Sequence, residues 1–413
     1  MAVLQGYFEP GWQAVSDSFA ANFERHGELG AACCVYLDGR PVVDLWGGTA
    51  DRRSGRPWDE DTVAVVFSVT KGATAICAHL LAERGELDLE APVAQYWPEF
   101  AAERKDGVRV RWLLSHQAGL PVVDTPLTLE EACAWEPVIR ALERQRPLWE
   151  PGTQQSYHAV TYGFLVGEVV RRAAGRTPGR FFAEEVAEPL GLSAWIGLPA
   201  EIEPRVAHLD LETAELDWNE LLDAILADVQ VPAGAREMLK TLWADPDSVD
   251  ARAARLGGVF ADGLVTEDGG HNARILRASE HPGTGLVTDA RSLARMYAAT
   301  IGEVDGIRLL QPSTVDEMCA LQQAPRYGVP PEFSAFMAEA FPFSMSSGFA
   351  RPDRLQPLLG PASFGHPGYG GSLAFADPEL GVGFGYVRNH LSGDDRTSRS
   401  LIAAVGDCLH AAA

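Results

Sequence analysis

The sequence predicts an α+β fold, and two observations carry that reading. Hairpin-like β patterns stand near both ends of the 413-residue chain, and apolar residues between them recur mainly at helical spacing. One antiparallel sheet assembled from both termini, with a helical insertion between, satisfies both.

The elements follow in order. Residues 31–48, AACCVYLDGRPVVDLWGG, hold two β-prone apolar runs around Asp38-Gly39, a pair suited to a tight hairpin turn. A polar loop runs from Asp51 to Asp61, and the apolar run Val63–Phe67 then leads into SVTKGATAICAHLLAERG. There Ile76, Leu80 and Leu81 keep helical spacing and Gly85 suits a helix stop, which puts Ser68 at or near a helix N-terminus. WLLSHQAGL is expected to end a short helix at a glycine, LEEACAWEPVIRALERQ to form one helix and TYGFLVGEVVRRAAG another. Ahead of the last, LWEPGTQQSYHA turns at Pro151-Gly152 and leaves Gln155–Tyr157 exposed. Residues 209–250 read as acidic, amphipathic peripheral helices, and 256–283 are Gly-rich without a clear pattern. DARSLARMYAATIG reads as a helix capped by Asp289. Ser372–Asn389 reads as strand, turn, strand, and SRSLIAAVGDCLHAAA as a closing helix.

Composition narrows the class. With 46% hydrophobic and 22% charged residues the chain is an ordinary globular protein. No run approaches the ~18 apolar residues of a membrane span, and the opening MAVLQGYFEPGW lacks the basic and apolar regions of an export signal. The six cysteines show no CxxC or metal-ligand spacing, and adjacent Cys33-Cys34 suits a disulfide poorly. Reduced thiols in the cytoplasm are expected. A net charge of −23 argues against nucleic acid or an anionic membrane as partner.

Three motifs carry chemistry. In Ser68-Val69-Thr70-Lys71, positions i and i+3 share a helix face, so hydroxyl and amine can meet. The only lysines are Lys71, Lys105 and Lys240, so lysine motifs have few chances to arise by accident. Serine becomes a nucleophile when a base takes its proton. An unperturbed lysine is neutral only roughly once in a few thousand molecules at pH 7, so burial or a nearby cation must lower its pKa. The helix start also offers N–H donors to an oxyanion. The second motif is Tyr157-His158-Ala159, whose phenol would shuttle the serine proton. The third is His366-Pro367-Gly368-Tyr369-Gly370-Gly371-Ser372, where glycines let backbone approach a substrate. His281-Pro282-Gly283 repeats its first three residues but lacks the glycine pair, and is set aside as a decoy. Ser115-His116 reads as a helix end. No GxSxG, HExxH, Walker A or GxGxxG pattern occurs, and neither metal nor cofactor is expected.

Taken together, the serine–lysine pair, the tyrosine about ninety residues on and the HxG before a C-terminal hairpin resemble the serine β-lactamase-like superfamily. Within it the chain is most similar to the esterases related to class C β-lactamases, the family VIII carboxylesterases. FSVTKG, LDLEAPVAQYWPEF, VRWLLSHQAGLP, EPGTQQSYHAVTYGFLVGEVVRRAAG, GLVTDARSLARMYAA and FGHPGYGGSLAFADPELGVGFGYVRN carry the likeness in order along nearly the whole chain. The resemblance implies an antiparallel sheet flanked by helices, residues 1–80 with 285–413, beside a mostly helical domain, 81–284, with the active site between. It implies Ser68 as acylated nucleophile, Lys71 as base, Tyr157 as second proton-transfer residue and the backbone N–H groups of Ser68 and Tyr369 as oxyanion hole. His366, Gly368 and His158 are the expected substrate-binding residues.

Two departures bear on substrate. Ala159 stands where the β-lactamases carry an asparagine amide, and His366 where they carry a lysine that holds a carboxylate. Both point to uncharged esters, and a carboxylesterase acting on a small-molecule ester is expected. A β-lactamase or D-amino-acid peptidase, an acyltransferase or thioesterase, and a non-catalytic binding protein are the alternatives. The loop holding Phe333, Phe336, Phe341 and Phe343 is expected to cover the core rather than line a pocket.

Overall fold

A computed structural model describes residues 4–211, 222, 225–245, 247–393 and 395–412. The sheet is built from both termini, as its sequence pattern requires. Strands β1 (Leu4–Phe8), β2 (Gly30–Leu37) and β3 (Arg40–Asp51) come from the N-terminal segment, and β4 (Phe364–Pro367), β5 (Leu373–Asp377) and β6 (Val382–Arg388) from the C-terminal one. Their order is β1-β3-β2-β6-β5-β4, antiparallel throughout. The β2–β3 turn has positive φ at both Asp38 and Gly39, the geometry a two-residue hairpin with the sheet's twist demands.

Five longer helices matter for the site: α1 (Gln13–Arg25), α2 (Val69–Glu83), α3 (Thr161–Ala174), α4 (Ala290–Ile301) and α5 (Arg396–Ala412). The strand period of two sends alternate residues of β2 to opposite faces. Ala31, Cys33 and Val35 pack with Phe19 of α1 and Val405 of α5, while Ala32, Cys34 and Tyr36 join the main core with Leu293 and Tyr297 of α4. The adjacent cysteines therefore face apart, and all six thiols are free. Helix α4 lies directly on the backbone of β6: a Cβ on Gly385 would stand 2.3 Å from the Ala290 carbonyl oxygen. The Asp289 carboxylate accepts from the Ser292 N–H at 2.7 Å, the expected cap.

Local outcomes differ from expectation where a residue takes a left-handed turn. LEEACAWEPVIRALERQ forms two helices, Leu129–Cys133 and Glu136–Arg144, because Trp135 between them has φ +65°. The helix in WLLSHQAGL stops at Leu114, with His116 at φ +62°, rather than running to Gly119. The strand β1 and helix α1 were not foreseen. The expected helices over 209–250 fall partly outside the described residues; within them stand Ala235–Ala244 and Val249–Ala253. The former belongs to a small apolar cluster of Leu222, Leu226, Leu239, Phe336 and Phe341, with Phe333 at its margin. The core reading holds for Phe336 and in part for Phe341, which also borders a neighbouring cavity, and fails for Phe343, which lines the cleft at Ser68. Among the described residues no helix is long and apolar enough to cross a membrane.

Candidate active site

A short three-stranded sheet, Ala64–Val65, Leu286–Thr288 and Ala194–Ile196, delivers the chain to Ser68. Phe67 then bends it at φ +46°, a conformation that costs a residue with a Cβ about 1–2 kcal/mol. Its buried ring is held between His271, 4.9 Å away, and Tyr369, 5.5 Å away. The bend places Ser68 directly before α2, with its side chain open to the cleft and Lys71 one turn on, wholly buried.

The Lys71 amine has three partners: Ser68 Oγ at 3.0 Å, the Ala159 carbonyl at 2.7 Å and the Gly283 carbonyl at 2.9 Å. Carbonyls accept only, so they take two N–H groups. In the neutral amine the lone pair is left for Ser68, whose hydroxyl donates to it. Burial lowers the lysine to about 7, since an ammonium ion is poorly solvated there. The rings of Tyr157 and Tyr162 lie 4.9 and 5.7 Å from the nitrogen.

Tyr157 lines the same cleft as Ser68. Burial pushes its phenol above the ordinary range, and the Ser68 side chain only partly opposes the shift. The residue after it is placed otherwise than expected. His158 is wholly buried, its Nδ1 paired with the Ser156 carbonyl at 2.7 Å and its Nε2 accepting from the Leu120 N–H at 3.1 Å. With both nitrogens engaged it pins the tyrosine turn and has nothing to offer a substrate; the expectation that it binds one is corrected. His116, read as part of a helix end, lies against Tyr157 with ring centroids 4.8 Å apart, and its Nδ1 accepts from the His158 N–H at 3.1 Å.

The third motif closes the cleft opposite. His366 Nδ1 donates to the Pro367 carbonyl at 2.7 Å, leaving buried Nε2 as an acceptor without a partner among the described residues. Burial, and secondarily Lys71, lowers it to about 3, so it is a neutral acceptor rather than the cation found at this place in β-lactamases. Gly368 passes so near the segment just before Ser68 that a Cβ would stand 2.4 Å from the Val66 carbonyl oxygen. This approach brings Tyr369 beside Ser68 in one cleft. Among the described residues no backbone carbonyl accepts from the N–H of Ser68 or of Tyr369, as an oxyanion hole requires.

Sequence reasoning missed one contributor. His281-Pro282-Gly283, the supposed decoy, supplies the Gly283 carbonyl to Lys71, and the Pro282 carbonyl accepts from Thr74 Oγ1 at 2.5 Å. Its trace is glycine: a Cβ on Gly163 of α3 would stand 2.2 Å from the Gly283 nitrogen. Among the described residues no three His, Cys, Asp or Glu side chains converge to hold a metal ion.

This fold and this arrangement define a serine hydrolase of the β-lactamase fold. Residues 15–407 match the family described as Beta-lactamase, and the chain belongs to it. It is 35% identical over 394 residues to "Esterase/beta-lactamase LipL" of Mycobacterium tuberculosis, covering 94% of this chain and 83% of that one. Among solved structures it is similar to a family VIII carboxylesterase, with TM-score 0.77 and 33% identity over 98% of this chain and all of the other. EstA from Arthrobacter nitroguajacolicus Rue61a aligns with TM-score 0.79 and 30% identity over 99% of this chain and all of the other.

Proposed function

We propose that the protein is a carboxylesterase acting on short-chain or small uncharged esters through an acyl-enzyme on Ser68. The observation that carries this reading is the Lys71 amine, 3.0 Å from Ser68 Oγ with two backbone carbonyls on its other hydrogens. Neutral Lys71 accepts the Ser68 proton as Oγ attacks the ester carbonyl carbon. The N–H groups of Ser68 and Tyr369 stabilise the oxyanion. The intermediate collapses, the C–O bond to the alcohol breaks, and Tyr157 passes the proton held by Lys71 to the departing oxygen. Water then adds to the acyl-enzyme, giving its proton to the same pair, and the acid leaves as Ser68 Oγ is reprotonated.

The ester preference rests on His366 and Ala159. Neutral His366 offers no charge to a carboxylate, and position 159 presents only its backbone oxygen, which is taken by Lys71. The names of LipL, EstA and the family VIII carboxylesterase support the same chemistry. In this reading the enzyme is cytoplasmic, needs no cofactor, and engages neither nucleic acid nor membrane. Hydrolysis of p-nitrophenyl acetate and butyrate, compared with nitrocefin, tests it. Ester turnover should dominate and Ser68→Ala should abolish it; full activity in that variant, or nitrocefin as the better substrate, counts against it.

A further inference from the structure

Two cavities meet at one side chain. The cleft at Ser68, about 320 Å³, is bounded by Tyr157, Phe343, Met345, His366 and Tyr369. A second cavity, about 460 Å³, has Pro342 and Phe343 as its only residues in common with the first. Beyond them Val329, Ala335, Met337 and Phe341 make most of its surface apolar, with Gln155, Gln323, Ser334 and Arg326 supplying the polar part of the lining. Phe343 therefore forms a wall of both, its ring standing edge-on to His116 at 5.8 Å and to Tyr157 at 6.2 Å.

The second cavity is anchored to the catalytic tyrosine's own turn. The Gln155 N–H donates to the Pro325 carbonyl at 2.9 Å, and the Tyr327 N–H donates to the Gln155 carbonyl at 2.9 Å. Its far wall is the helix Ser334–Ala340, which packs through Phe336 and Met337 into the small apolar cluster with Leu222, Leu226 and Leu239. An acyl chain that outgrows the first cavity and passes Phe343 would meet a mostly apolar surface already in place.

We propose that Phe343 sets acyl-chain length: it closes the cleft to short acyl groups and separates it from a groove shaped for the tail of a longer fatty acyl ester. This rests on the esterase reading above. In the wild type, kcat/KM for p-nitrophenyl esters falls from butyrate to decanoate, because the longer tail has no room beside Phe343. Phe343→Ala joins the cavities and raises the decanoate-to-butyrate ratio by about tenfold or more, since even one methylene in an apolar pocket shifts kcat/KM by roughly that factor. Phe343→Leu, a smaller cut that keeps an apolar side chain, gives an intermediate rise and serves if the alanine variant does not fold.

Ala335 lines that cavity and is exposed, so tryptophan is tolerated there. Ala335→Trp added to Phe343→Ala refills the groove and returns the ratio towards wild type. A ratio unmoved by either Phe343 change while butyrate is still hydrolysed overturns this proposal alone. A gain that Ala335→Trp does not reverse also overturns it, showing a loosened cleft rather than use of the groove. A wild type that hydrolyses no ester of any length overturns the esterase reading and this proposal with it.

Discussion

Lys71 and Gly283 are 212 residues apart in sequence, yet the lysine amine donates to the glycine carbonyl at 2.9 Å. With Ala159 supplying a second carbonyl, the backbone decides which way the amine's lone pair points. A carboxylate there would hold the lysine charged; carbonyls orient it and leave burial free to neutralise it. Ala159 stands at the position where the β-lactamases carry an asparagine, and here its main-chain oxygen meets Lys71.

The pH dependence follows from the sign of that shift. A lysine lowered to about 7 by burial is protonated below that value and a base above it. His366 and His158 are lowered to about 3 and about 4, and the Tyr157 phenol is raised, so all three keep one protonation state between pH 5 and 9. The kcat/KM for a short ester is expected to rise through pH about 7 and then level off. A flat profile over this range, measured with a neutral substrate, contradicts Lys71 as the base.

Thr74 tests the placement of Gly283. Its hydroxyl donates to the Pro282 carbonyl, docking the segment that reaches Lys71 onto α2. Thr74→Val leaves that buried carbonyl without its donor, at a cost of about 1–3 kcal/mol in denaturant unfolding. It should also lower kcat several-fold with little change in KM, since the amine loses a fixed acceptor. Unfolding and kinetics that both match wild type rule out this role.

Gly368 tests the oxyanion hole. A methyl group there would sit 2.4 Å from the Val66 carbonyl oxygen, so Gly368→Ala must push the β4–β5 turn away from Ser68. The Tyr369 N–H moves with it, and loss of one such donor lowers kcat by about 10²–10³-fold. Circular dichroism should be unchanged, and fluorophosphonate labelling of Ser68 should slow in parallel with turnover. Wild-type kcat in a folded variant excludes Tyr369 as a donor.

Side-chain periodicity and motif spacing made much of this legible. The alternation around Asp38-Gly39 and in Ser372–Asn389 marked both halves of the sheet, and Asp289 marked the start of α4. Ser68 and Lys71 were visible because i, i+3 spacing on a helix is a geometric statement. The Gly283 carbonyl was not, because every residue carries one and the sequence does not say which is aimed at an amine. His158 was misplaced because neighbours in sequence need not face the same way: Tyr157 borders the cleft, while the histidine ring turns into the core. Strand β1 escaped notice because LQGYF is short, sits at the sheet edge and has three exposed residues at its centre.

The assembly of one sheet from the two ends of the chain has a consequence for biosynthesis. Ser68 and Lys71 leave the ribosome about 300 residues before Tyr369. In the proposed mechanism, until β4–β6 have been made and have docked on β2, a nascent chain carries the nucleophile and the base but half of the oxyanion hole. In that mechanism the site is complete only once the C-terminal strands have paired with the N-terminal ones.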